Sequence, residues 1–107
     1  SPDEAGHNGH LQEKIKGIEN IDSLIVGPLL EGLKKFGEYR ILAAPDHPTP
    51  VTTRMHTYGK VPFLISGAGI APDATEVFDE VAAAAGSLQI EESFKLMDFL
   101  VRGAPPL

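Results

Sequence analysis

Tyr39-Arg40-Ile41-Leu42-Ala43-Ala44-Pro45-Asp46-His47 is the stretch on which the fold turns. Its apolar run reads as a buried strand, and Pro45 closes it because proline has no N–H to give a strand ladder. Residues 45–60 then bring three Pro, four Thr, two His and one Asp with no hydrophobic period, the signature of a loop. Val61-Pro62-Phe63-Leu64-Ile65 reads as a second buried strand, with Pro62 confined to its start.

On the N-terminal side, Leu11, Ile15, Ile18, Ile21, Ile25, Leu29, Leu33 and Phe36 recur every three or four residues, the spacing of one helix face. The spacing predicts a helix from about residue 10 to 26. A kink or restart is expected at Gly27-Pro28, where proline loses a backbone bond and crowds the carbonyl four residues back. The helix then continues to 36 and stops at Gly37. On the C-terminal side, Ser66 to Pro72 breaks regular structure. A helix is predicted over 74–85, capped by Asp73 and ended by Gly86. A last helix runs from Glu91 to Val101, with Phe94, Met97 or Asp98, and Val101 on one side, and Gly103-Ala104-Pro105-Pro106 terminates it.

Helices alternating with buried strands define an α/β class with helices packed on a sheet. Two strands are too few for such a sheet, so the chain reads as part of a larger one. Its incomplete sheet also offers an edge for self-association.

The 107 residues suit one domain and leave no room for two independent cores. A net charge of −6 without any basic cluster argues against a nucleic-acid partner. The chain has no cysteine, which excludes disulfides, thiolate metal sites and cysteine nucleophiles. No run reaches the ~18 apolar residues of a membrane span, and no signal peptide opens the chain, so a cytoplasmic protein with no membrane partner is expected. Any chemistry must come from oxygen and imidazole groups.

Three segments carry such groups. Asp3 and His7 stand four residues apart, Asp46-His47 follows the first strand directly, and His56 precedes the second. Ligands of open α/β sheets gather beyond the carboxyl ends of strands, where sequence order puts Asp46 and His47. Carboxylate and imidazole without thiolate suit Mn²⁺, Zn²⁺ or Fe²⁺. Three His and two Asp exceed a mononuclear zinc set and are enough to begin a pair of metals ~3.5–4 Å apart, as in phosphoryl-transfer enzymes. His10 reads as a solvated first-turn residue, Gly67-Ala68-Gly69 as a turn, and Thr49, Thr52, Thr53 and Ser66 as loop hydroxyls.

Pro2-Asp3-Glu4-Ala5-Gly6-His7, Asp46-His47-Pro48-Thr49-Pro50, His56 and Val61-Pro62-Phe63 together resemble the C-terminal part of cofactor-independent phosphoglycerate mutases of the archaeal type, in the alkaline phosphatase superfamily. The resemblance covers essentially the whole chain. It implies a partial three-layer αβα domain that interconverts 3-phosphoglycerate and 2-phosphoglycerate through a phosphoserine and two metals, manganese or zinc. By motif, Asp3, His7 and His56 would hold one metal, and Asp46 and His47 the other. The family's nucleophilic serine and a further N-terminal Asp have no counterpart here, so the segment alone is expected to be inactive. A phosphatase or phosphopentomutase of the same superfamily shares these metals, and a non-catalytic metal-binding or interaction module is the rival of another class.

Overall fold

A computed structural model describes residues 1–104, which form two compact units. The first comprises Ser1–Gly37 and Asp46–Lys60, and the second comprises Glu38–Pro45 with 61–104.

The first unit opens on a helix that the sequence reading did not anticipate, α1 (Pro2–His7). Its residues are few, but its start is well made. The Glu4 N–H donates to the Ser1 hydroxyl in a reciprocal capping box, and Pro2 stands at a position that needs no N–H. Then α2 (Leu11–Ile21) begins at His10, whose N–H donates to the Ala5 carbonyl.

The expected proline restart takes a specific form. Asp22–Val26 is a π-helical turn, α3 (Gly27–Leu33) follows, and Lys34–Phe36 tightens into a 3₁₀ turn ending at Gly37 with φ 80°. Within the π turn the Gly27 N–H reaches back five residues to the Asp22 carbonyl. This wider ring gives Pro28 room where an α-helical turn would press its ring onto a carbonyl. The apolar stripe is exposed: Ile15 is 41 % accessible, Leu24 70 % and Ile25 59 %. The helix period was therefore legible, but the surface that would cover this face is not among the described residues.

In the second unit, β1 (Arg40–Ala43) pairs antiparallel with β2 (Leu64–Gly67), Arg40 opposite Gly67 and Ala43 opposite Leu64. The second strand lies three residues later than expected at its start. Its partner ends at Ala43, just before Ala44-Pro45, so Val61-Pro62-Phe63 find no ladder, and Ser66 and Gly67 join the strand instead. Antiparallel pairing also points the two carboxyl ends in opposite directions, so no shared carboxyl edge forms. The loop 46–60 leaves β1 at its carboxyl end and returns to the amino end of β2.

The helix expected over 74–85 shortens to α4 (Glu80–Ala85), because Asp79 rather than Asp73 caps it, accepting from the Ala82 N–H at 2.7 Å. Asp73 instead closes a local turn, accepting from the Thr75 N–H at 2.9 Å and from the N–H and hydroxyl of Ser87, each at 3.2 Å. These bonds hold its carboxyl down at about 2, the Thr75 N–H contributing most.

The last helix, α5 (Lys95–Arg102), starts at Lys95 and not at Glu91, and its buried residue lies off the side that carries Phe94, Met97 and Val101. Phe99 is 3 % exposed, whereas Phe94, Met97 and Val101 are open. Leu96, Phe99 and Leu100 form the alternative i, i+3, i+4 stripe, and it is this one that carries the buried residue. Arg40 secures the helix end by donating to the carbonyls of Leu100 and Val101 at 3.2 and 2.8 Å. Gly103, at φ 74°, then leaves the helix in the left-handed conformation that favours glycine. Pro105 and Pro106 lie outside the described residues. Mixed helix and strand content agrees with the expected α/β class, and no helix among the described residues is long and apolar enough to cross a membrane.

Candidate metal centre

All five expected residues belong to the first unit. The i, i+4 spacing on α1 puts Asp3 and His7 on one face, with Asp3 Oδ1 at 3.4 Å from His7 Nε2. The loop supplies the rest. Arg54 N–H donates to the Pro50 carbonyl at 2.9 Å and Thr57 N–H to the Pro48 carbonyl at 3.1 Å, folding the loop back so that His56 faces the helix. His56 Nε2 lies 3.3 Å from the same Asp3 Oδ1. The His56 ring also lies against His47 and His7, with ring centroids 3.7 and 4.9 Å apart.

Asp46 is the outlying member. It is 87 % exposed, accepts from its neighbour's N–H at 3.0 Å, and holds Oδ2 at 3.3 Å from His47 Nε2. One ligand atom from each of Asp3, His47 and His56 falls within 4.8 Å of the others. That trio crosses the expected partition, in which His47 pairs with Asp46 and His7 completes the set around Asp3. Both groupings draw on one cluster of four side chains with Asp46 at its rim. His10 stands apart, exposed beside Glu13.

The hydrogen bonds around the imidazoles fix which nitrogen is free. His7 Nδ1 lies 2.8 Å from the Arg54 carbonyl, an acceptor only, so Nδ1 carries the proton. Its Nε2 then faces the Asp3 carboxylate. His47 repeats the pattern, with Nδ1 turned to Pro48 O and Thr49 Oγ1 and Nε2 turned to Asp46. An imidazole nitrogen facing a carboxylate oxygen calls for a proton or a cation between them, and the donor set fits a divalent metal of the Mn²⁺ or Zn²⁺ type. The carboxyl of Asp3 is held below its usual range, first by the Thr49 hydroxyl against the opposing effect of desolvation, then by His7, His56 and His47. Asp3 thus remains an anion for a cation to meet.

Sequence reasoning passed over the residues that assemble this cluster. Thr49, read as one loop hydroxyl among several, is 5 % exposed and touches both Asp3 and His47. Lys14 donates to the Thr49 carbonyl at 2.6 Å. Gly6 lets α1 come so close that a Cβ there would run into that same carbonyl. The available signal was Thr49 between two prolines, a backbone stiffened at one position beside a ligand-type pair.

Residues 1–102 match the model of the metalloenzyme superfamily. A protein of Geobacter sulfurreducens named as a probable 2,3-bisphosphoglycerate-independent phosphoglycerate mutase is 45 % identical over 102 residues, which cover 94 % of this chain and 26 % of that protein. The 2,3-bisphosphoglycerate-independent phosphoglycerate mutase of Methanothrix thermoacetophila is 42 % identical over 96 % of this chain and 26 % of its own length. A second such mutase, from Methanothermobacter thermautotrophicus, is 42 % identical over the whole chain and again 26 % of its own. The chain thus spans about a quarter of the length of these relatives. No solved structure matches it significantly.

Proposed function

The chain belongs to the metalloenzyme superfamily, and from that premise we propose that it is the C-terminal portion of the phosphotransferase domain of a cytoplasmic phosphoglycerate mutase, an isomerase that interconverts 3-phosphoglycerate and 2-phosphoglycerate. The observation that carries the reading is the pair of Nε2 atoms, on His7 and His47, each set against a carboxylate while the other ring nitrogen meets a hydrogen-bond acceptor. In this reading Asp3, His7 and His56 hold one metal, Asp46 and His47 contribute to a second, and manganese or zinc occupies both. Such metals neutralise charge on a transferring phosphoryl group and lower the pKa of a nucleophilic hydroxyl.

The residues of this chain act as holders. Asp3 supplies an anion kept ionised by Thr49, and His7 presents Nε2 because its other nitrogen is tied to the Arg54 carbonyl. The nucleophilic serine that takes up the phosphoryl group lies outside this chain, as does the rest of the second site. Substrate identity is tested by a coupled assay of the intact protein with 3-phosphoglycerate against a generic phosphate ester, with and without Mn²⁺. Metal-dependent formation of 2-phosphoglycerate supports the mutase. Hydrolysis of the generic ester without isomerisation replaces it with a phosphatase.

A further inference from the structure

Thr49 is the one buried polar residue among the described residues, and two separate contacts fix its orientation. Its carbonyl accepts from Lys14 at 2.6 Å, and its methyl lies against Gly6, where a Cβ would come within 3.1 Å of it. Its hydroxyl therefore points at the candidate ligands, donating to Asp3 Oδ1 at 2.9 Å and lying 3.2 Å from His47 Nδ1.

A threonine hydroxyl has one proton to give. The Asp3 carboxylate can only accept, so that proton goes to Asp3, and Thr49 Oγ1 must accept from His47 Nδ1–H. The Pro48 carbonyl, 3.4 Å from the same Nδ1, makes the same demand. Both contacts place a ring proton on Nδ1, so Nε2 is the nitrogen left to meet a cation.

We infer that Thr49 is a positioning residue whose hydroxyl links Asp3 to His47, fixing the His47 tautomer and holding both side chains ready for a divalent cation. The inference rests on the reading of Asp3 and His47 as ligands of that cation. Partners that orient metal-binding imidazoles in this way typically contribute 10–100-fold to metal affinity.

The test uses the intact protein. Thr49→Val keeps the shape but removes the donor and acceptor, while Thr49→Ser keeps the hydroxyl and loses the methyl. Calorimetric titration with Mn²⁺ should show Thr49→Val binding about 10–100-fold more weakly than wild type and Thr49→Ser recovering most of the loss. Imidazole ¹⁵N shifts of the metal-free wild type should place the His47 proton on Nδ1, and in Thr49→Val that preference should weaken. Circular dichroism reports whether Thr49→Val folds, and the wild-type tautomer needs no variant at all. A wild-type His47 protonated on Nε2, or Thr49→Val binding Mn²⁺ within twofold of wild type, overturns the inference. Wild-type protein that binds no Mn²⁺ overturns the metal reading itself, and with it the positioning role.

Discussion

Replacing Gly6 by alanine puts two effects of opposite sign in competition. Alanine is favoured over glycine in a helix by about 1 kcal/mol, so propensity alone predicts a more stable protein. The geometry of α1 predicts the reverse. A Cβ at residue 6 would run into the Thr49 carbonyl oxygen and come within 3.3 Å of the Thr49 Cβ, and that carbonyl is already pinned by Lys14. Overpacking against backbone typically costs about 1–3 kcal/mol, which exceeds the propensity gain. The expected net effect is a loss of about 1 kcal/mol, or a fall in Tm of roughly 4–8 °C for a chain of this size. Gly32 on α3 supplies the internal control, since a Cβ there meets nothing within 4 Å. Thermal unfolding of wild type, Gly6→Ala and Gly32→Ala should therefore move Tm down for the first variant and up for the second. Equal stabilisation by both would show that α1 does not approach Thr49 so closely, and the assembly argued for the metal centre would fall with it.

In the intact protein, Asp46→Asn or His56→Ala should abolish mutase activity and lower bound metal while leaving circular dichroism unchanged; a metal-replete Asp46→Asn enzyme with normal turnover would remove Asp46 from the site. The 107-residue chain alone should give background rates with 3-phosphoglycerate even with added Mn²⁺, because the proposed reading puts the serine nucleophile outside it, and a positioned nucleophile accounts for roughly 7–11 kcal/mol of barrier reduction. Enzyme-like turnover by the isolated chain would contradict this. Asp73 makes stability depend on acid: its folded pKa of about 2 lies below the unfolded value, so its contribution is present above pH ~4 and is lost as pH falls through about 2. Asp73→Asn should therefore flatten the acid limb of a stability–pH curve, and an unchanged limb would show that its bonds to Thr75 and Ser87 do not persist in solution.

Legibility in the sequence followed the range of the forces involved. The restart at Pro28 was readable because proline acts on its own turn, although the π turn that accommodates it was not. β1 was readable from its apolar run, whereas the limits of β2 depend on where β1 ends, information that lies twenty residues away. The choice of Phe99 over Phe94 and Val101 was equally non-local, since both stripes of α5 are apolar. The candidate ligands declared themselves by residue type and motif. Their supports did not: Gly6 matters for what it lacks, Thr49 for what surrounds it, and Lys14 for a carbonyl thirty-five residues on.

Arg54 is the sole non-glycine residue with positive φ among those described, at 57°, and this conformation carries the carbonyl that orients His7. The contact uses main chain only, so its requirement passes to the gene as a backbone constraint and not as a side-chain identity. Glycine, asparagine or aspartate can adopt this conformation readily, while valine, isoleucine or threonine would be strained. Position 54 should thus accept those side chains of different chemistry that tolerate positive φ without disturbing His7. Variability there, ordinarily a sign of indifference, would coexist with a fixed structural duty.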